Sequence, residues 1–351
     1  MSEPATGLVL ASTLDQQGAW SLADRLGDRV GLEGVLGDLR HTGRPGRLTG
    51  TTDAHGFGWD RRDGRTREWW PQGITTTADT GARPLVGSRR VLLAAWYRRH
   101  GGKNDLAVRV SVVDLGTTGQ VPERPAYEHV LLVETERDPV SHGVHHRQVR
   151  LHAGGLVWWD EHRLLVADTR GGLRVFDLRD LVRVAPGTPD TNGCRYLLPQ
   201  CGRLVADADE GVAPLRWSFL SLDRTDADGL GLVAGEYSKP GTGSRLARFR
   251  LPDPGSWAGP VRSLEVVRTD ISSMQGACRV RSTYLVSASH GSWHRGHLWV
   301  GSPKVGFTRH PGLLPPGPED LTYDRHTNRL WTQTEYPGRR VVLSVPLPRP
   351  G

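Results

Sequence analysis

The sequence predicts an all-β fold, a five-bladed β-propeller whose ring is closed by an N-terminal strand, and three observations carry that expectation. Glycine and proline are abundant, 44 and 24 of 351 residues, which excludes a long helical bundle or coiled coil. Turn residues fall every ~8–12 positions between short stretches rich in Val, Leu and Trp, the all-β pattern. Five segments also share one plan: a small-residue turn, an apolar strand, a polar turn, a second strand ending in polar residues, and a third strand.

Taken in chain order, GLVLAST (7–13) reads as the strand that closes the ring by completing the last blade. Residues 16–40 have apolar residues at three- and four-residue spacing and predict a short helix packed on the rim. The first repeat is PQGITTTAD (71–79), VLLAAWY (91–97) and VRVSVVDL (108–115). The second is HAGGLVWWD (152–160), RLLVADT (163–169) and GLRVFDL (172–178). The third is RWSFLSLD (216–223), LVAGEY (232–237) and RLARFRL (245–251). The fourth is MQGACRV (274–280), YLVSASHG (284–291) and HLWVGSP (297–303). The fifth is PEDLTYD (318–324), RLWTQTEY (329–336) and RRVVLSVPL (339–347). Fourth strands are expected at 129–135, 195–200, 262–269 and 304–310. Four antiparallel strands repeated about an axis leave only short, protected edges. Residues 1–60 then form the closing strand and helical insertion, and 61–351 the propeller, within one domain.

Several function classes find no support. No run of ~18 apolar residues is present, so no membrane partner is expected. The start, MSEPATGLVLASTLDQQG, lacks the cationic opening and long apolar stretch of a signal peptide, so a cytoplasmic location is expected. The net charge of +7 comes from 45 Lys and Arg against 38 Asp and Glu, almost all the cations being arginine. No basic run is interleaved with aromatics, so the charge reads as compositional bias and no nucleic-acid partner is expected. Three cysteines without a CxxC pair argue against a structural zinc. The cluster His142, His145, His146 and His152 falls in a predicted loop, which would not hold metal geometry. The GxGxxG, GxxxxGK[ST], GxSxG and HExxH patterns are absent.

The chemistry is expected at one mouth of the channel. In a propeller the start of each blade's first strand and the end of its second share a face. Aligning the repeats gives two entry columns, Gln72, Gly154, Trp217, Gln275, Glu319 and Gly73, Gly155, Ser218, Gly276, Asp320. The exit columns are Trp96, Asp168, Glu236, Ser289, Thr334 and Tyr97, Thr169, Tyr237, His290, Glu335, with His152 just ahead of the second blade. Gly73, Gly155 and Gly276 are expected where backbones crowd the axis. The rest is a concentration of acids, imidazoles, amides and rings where packing would favour Val or Ala.

Three readings fit. Glu236, His290, Glu319, Glu335 and His152 are the expected proton carriers, since burial raises a glutamate toward working pH. Gln72, Asp168, Ser218, Gln275 and Asp320 would bind substrate, and Trp96, Tyr97, Trp217 and Tyr237 would shape an apolar pocket. Alternatively Asp168, Glu236, Glu319 and Asp320 would hold Ca²⁺ for a hydrolase. In the third reading the mouth only binds a small molecule or peptide.

PQGITTTAD, HAGGLVWW…LLVADTRGGLRVFDL, FLSLD…LVAGEY and GPEDLTYD…LWTQTEYPGRRVV resemble a large actinobacterial β-propeller family, over about residues 65–347. Its members are often described only as secreted or hypothetical proteins. The resemblance implies the fold and no activity; a chain without a signal peptide departs from many of those relatives. An intracellular member looks like a recruit to specialised metabolism, by analogy with propellers similar to strictosidine synthase, which use one pocket glutamate for condensation or ring closure. The expectation is therefore a cofactor-independent cyclase, isomerase or lyase acting on a largely apolar small molecule.

Overall fold

The computed structural model describes residues 7–48, 53–81, 84–118, 120–137, 143–226, 229–252 and 259–348. The chain forms an all-β arrangement of successive antiparallel groups. Trp69–Thr76, Val91–Arg98, Val108–Asp114 and Ala126–Arg137 pair in order. Next come Leu156–Trp158, Arg163–Asp168, Gly172–Asp177 and Tyr196–Ala208. Phe219–Asp223, Gly231–Gly235, Ser244–Arg250 and Val261–Thr269 follow. Then come Met274–Val280, Thr283–Ala288, Gly296–Ser302 and Gly306–Leu314. The last group is Pro318–Asp324, Arg329–Thr334 and Val341–Pro346.

The first strands of the groups converge on a common axis, which makes the arrangement a β-propeller. A Cβ on Gly73 would meet the Gly155 and Leu156 backbone, one on Gly155 the Phe219–Leu220 backbone, and one on Gly276 the Asp320–Leu321 backbone. Those glycines are where the sequence placed backbone crowding. Asp320 is fully buried there, its Oδ2 accepting from the amides of Ile74 (3.0 Å) and Leu156 (3.2 Å). One carboxylate thus ties the inner strands of separate groups together.

Ring closure differs from the expectation. The partner of Val341–Pro346 is His55–Gly58, with Gly56 opposite Leu343, and not residues 7–13. Leu8–Leu14 is a strand, but it lies along Tyr196–Ala208 over seven residues and touches Val261 and Arg262. Its alternation suits that outer position: Leu8 and Leu10 are buried, and Leu14 is exposed. A closing strand of four residues carries little apolar signature: HGFG offers only Phe57, which is buried.

The expected helix is Gln16–Leu26, capped by the Asp15 side chain, whose Oδ1 accepts from the Gly18 amide at 2.8 Å. Ala19, Leu22 and Ala23 form its buried face at three- and four-residue spacing. A second short helix spans Gly31–Leu36. The apolar run in Val91–Arg98 is buried from Val91 to Tyr97, because a blade strand is covered on both faces. His145 and His146 lie in the strand Val144–Gln148 instead of a loop, while His142 is outside the described residues. Cys194, Cys201 and Cys278 are free and buried. No helix among the described residues is long and apolar enough to cross a membrane.

Candidate functional site

A cavity of about 830 Å³ opens at the channel mouth. It gathers Gln72 and Tyr97 from the first group, His152, Asp168 and Thr169 from the second, and Ser218 and Tyr237 from the third. Gln275 and Ser289 come from the fourth, Glu319 and Glu335 from the last. Most of the lining is polar; Tyr97 and Tyr237 are part of it, and the expected Trp96 and Trp217 are not.

At its base Glu319 is 3% exposed, its Oε1 accepting from Gln275 Nε2 at 3.2 Å. Burial, reinforced by the neighbouring carboxylates Glu335 and Asp320, pushes the Glu319 carboxyl well above the usual range. Burial also raises Glu335, opposed by a hydrogen bond with Tyr336 and by the nearby His152 and Arg340. Gln72 is buried, its Nε2 donating to the Pro71 carbonyl at 2.8 Å. Gln333 Nε2 donates to the carbonyls of Gln72 (3.0 Å) and Gly73 (3.1 Å), fixing the entry of the first inner strand.

In the same cavity His152 Nδ1 lies 3.0 Å from Asp105 Oδ1. The imidazole stacks on Tyr97, with centroids 4.3 Å apart and planes at 28°. Burial and the Glu335 and Glu319 carboxylates raise the Tyr97 phenol, so it stays a neutral hydroxyl. An imidazole held by a carboxylate at Nδ1 has its tautomer set and its Nε2 left for a ligand proton. Asp105 has φ 56° in the turn before Val108–Asp114. No periodicity in the sequence marks it as a site residue.

Five expected site residues are elsewhere. Trp96 is fully buried, its Nε1 donating to Ser111 Oγ at 2.8 Å. Trp217 is buried and stacks on Phe249. Glu236 is held by Arg245 through two bonds of 2.6 and 2.8 Å and caps the Arg216 amide at 2.9 Å. His290 is exposed and lines a separate recess of about 310 Å³, where its ring lies near His294 and His297. Asp320 is sealed at the axis. Asp168 lines the cavity but is engaged by Arg174 Nε at 2.8 Å.

One cause accounts for the tryptophans and for Glu236 and Asp320. Successive side chains of a strand point to opposite faces, so a position that meets the cavity has neighbours turned away from it within the strand. Tyr97, Tyr237, Glu319 and Glu335 meet the cavity; Trp96, Glu236, Asp320 and Thr334 are their opposite-facing neighbours. Register shifts lie between Pro71 and Ile74, Met274 and Gly276, and Pro318 and Leu321. The pairing of Phe219–Asp223 with Gly231–Gly235 has no such shift, so the third group presents Ser218 where the bulged groups present Gln72, Gln275 and Glu319.

The acids expected to hold Ca²⁺ do not form one oxygen cage, since Arg174 and Arg245 take Asp168 and Glu236 and the axis takes Asp320. By residue type His41, Asp63 and His129 suit a cation better, with ligating atoms within 4.8 Å. That cluster closes on itself. Trp96 donates to Ser111, which lies 3.0 Å from His129 Nδ1, and His129 Nε2 meets Asp63 Oδ2 at 2.9 Å. Tyr127 and Arg109 also donate to Asp63, at 2.7 and 2.6 Å. Burial alone would raise Asp63, but the Arg109 charge and the hydrogen bonds from His129 and Tyr127 hold it below the usual carboxylate range. Burial pushes His129 down to about 4, so the imidazole is neutral.

No family model matches the chain, and no curated protein matches it. Among solved structures it is similar to a GH43_1 enzyme from Xanthomonas citri, at 13% identity and TM-score 0.39, covering 82% of this chain and 89% of that one. It is also similar to RS223-Beta-xylosidase, at 12% identity and TM-score 0.34, covering 80% and 92%. The β-propeller domain of Cps50 (Swd1) from Myceliophteria thermophila is similar at 10% identity and TM-score 0.33, covering 80% and 97%. At such TM-scores these likenesses carry no argument about the site, which rests on its own geometry.

Proposed function

We propose that the chain is a five-bladed propeller enzyme whose cavity moves protons on a polar small molecule, with its acid and base supplied by side chains and no cofactor. The observation that carries the reading is the buried Glu319 carboxyl and the half-buried Glu335 carboxyl facing the same cavity as an Asp105-anchored His152. Glu319, kept protonated by burial, gives its proton to a substrate oxygen while Gln275 steadies the carboxyl through Oε1. His152 takes a proton at Nε2, and Asp105 stabilises the imidazolium that forms. One proton given and one taken is the balance of an isomerisation, an elimination or a ring closure. Glu335 and the Tyr97 hydroxyl orient the substrate between them. The polar lining favours a hydroxylated or charged substrate over the largely apolar one expected from the sequence.

The test is to incubate the protein with a polar metabolite extract and follow depletion by mass spectrometry, with and without a chelator. The reading expects a compound converted by wild type to a product of equal mass or one water lighter, untouched by Glu319→Gln and unaffected by chelation. Unchanged ligand recovered bound would make the cavity a binding site. Chelator-sensitive gain of one water would make the protein a metal-dependent hydrolase.

A further inference from the structure

A second recess of about 580 Å³ lies beside the last group of strands, between Arg44–Arg47, Gly58, Arg65, Pro315–Pro316 and Gly338–Val341. Five of its lining residues are arginines, Arg44, Arg47, Arg65, Arg339 and Arg340, and none is acidic. The partners they have are neutral. Arg44 Nε donates to the Trp59 carbonyl at 3.0 Å, and the Arg339 guanidinium lies 4.8 Å from the Trp293 ring. Arg340 donates from Nε to the Glu335 carbonyl (2.7 Å) and from Nη1 to the Asp63 carbonyl (2.8 Å).

Arg340 is 4% exposed, and its Nη2 has no hydrogen-bond partner among the described residues. Burial and the neighbouring Arg109 push it down to about 9, against the opposing pull of the Asp63 and Glu335 carboxylates. Leaving a buried guanidinium donor unmade is costly, and no carboxylate in the lining offsets the other four arginines. An anion in the recess relieves both. The neighbouring recess, about 610 Å³, carries Arg67 and Arg99 and shares Arg339 with this one and Tyr336 with the central cavity.

We propose that the arginine recess binds a tetrahedral oxyanion of the phosphate class, free or carried by a small molecule, through the forked donors of its five guanidinium groups. Planar guanidinium forks match such oxyanions with paired, charge-assisted hydrogen bonds. The proposal goes beyond the reading of the cavity and stands without it.

Isothermal titration calorimetry of the full chain with inorganic phosphate and with phenyl phosphate, at constant ionic strength, tests it. Saturable one-to-one binding is expected for wild type and equally for Glu319→Gln, whose change lies in the cavity. Arg47→Gln/Arg65→Gln, at two exposed positions, is expected to bind about tenfold more weakly per arginine lost. Phenyl phosphate competing with phosphate supports a carried phosphoryl group; phosphate binding alone supports the free ion. No saturable heat in wild type, or equal affinity in the double variant, overturns the proposal.

Discussion

At the scale of single residues, Glu319 is the proposed acid: it is buried, faces the cavity and accepts at Oε1 from the Gln275 amide. Its folded pKa lies above the unfolded value, so its contribution to stability is full below about pH 4.3 and is lost as pH rises through the folded value. Glu319→Gln is therefore expected to lose turnover by at least about 10²-fold while its melting temperature gains on wild type as pH rises. Equal loss of activity and stability would make Glu319 structural. Asp105→Asn removes the anion behind His152 but leaves a partly exposed loop position, so turnover is expected to fall by about 10²–10⁴-fold with little change in melting temperature. Glu319, Glu335, Gln72, Gln275 and Tyr97 were legible in the sequence because each recurs at one register of the repeat. Asp105 was not, because a turn residue with φ 56° has no register to share. Trp96 and Trp217 misled because a ring one position from the cavity faces the core.

At the scale of elements, the strands themselves were the most legible part, since each apolar run is bounded by turn residues. Which strand closes the ring was not, because closure depends on backbone pairing and not on side-chain pattern. Gly56 makes the difference measurable: a Cβ there would collide with the Val342 carbonyl. Gly56→Val is expected to cost about 2 kcal/mol or more and to speed hydrogen exchange at Val341–Ser344, the strand facing it. Leu10→Ala, in the strand beside Tyr196–Ala208, is expected to cost about 2–5 kcal/mol and to leave exchange at Val341–Ser344 unchanged until global unfolding. Faster local exchange in Leu10→Ala than in Gly56→Val would return the closing role to the N-terminal strand.

At the scale of the molecule, buried ionisable groups set a pH window for stability. Asp63 and His129 both have depressed folded values, so their contribution is present above the unfolded values and lost as pH falls. Asp79 works in the other direction. Burial pushes it up to about 7, beside Thr75 at 2.6 Å and Thr322 at 3.3 Å. Its contribution is full below about pH 4 and falls away as pH rises through about 7. The stability of Asp79→Asn relative to wild type is thus expected to rise between those values and then level off, read by denaturant melts across pH. A flat difference would mean Asp79 is ionised throughout. These groups, like Asp320, come from distant parts of the chain, which is why a repeat pattern shows where strands lie but not which charges meet inside.

The most direct measurement is a carbon-13 NMR titration of the side-chain carboxyls, with Glu319→Gln and Glu335→Gln used for assignment. A resonance that titrates well above the ordinary glutamate range and vanishes in Glu319→Gln is the predicted result. Both carboxyls titrating near the value of a solvent-exposed glutamate would contradict the account.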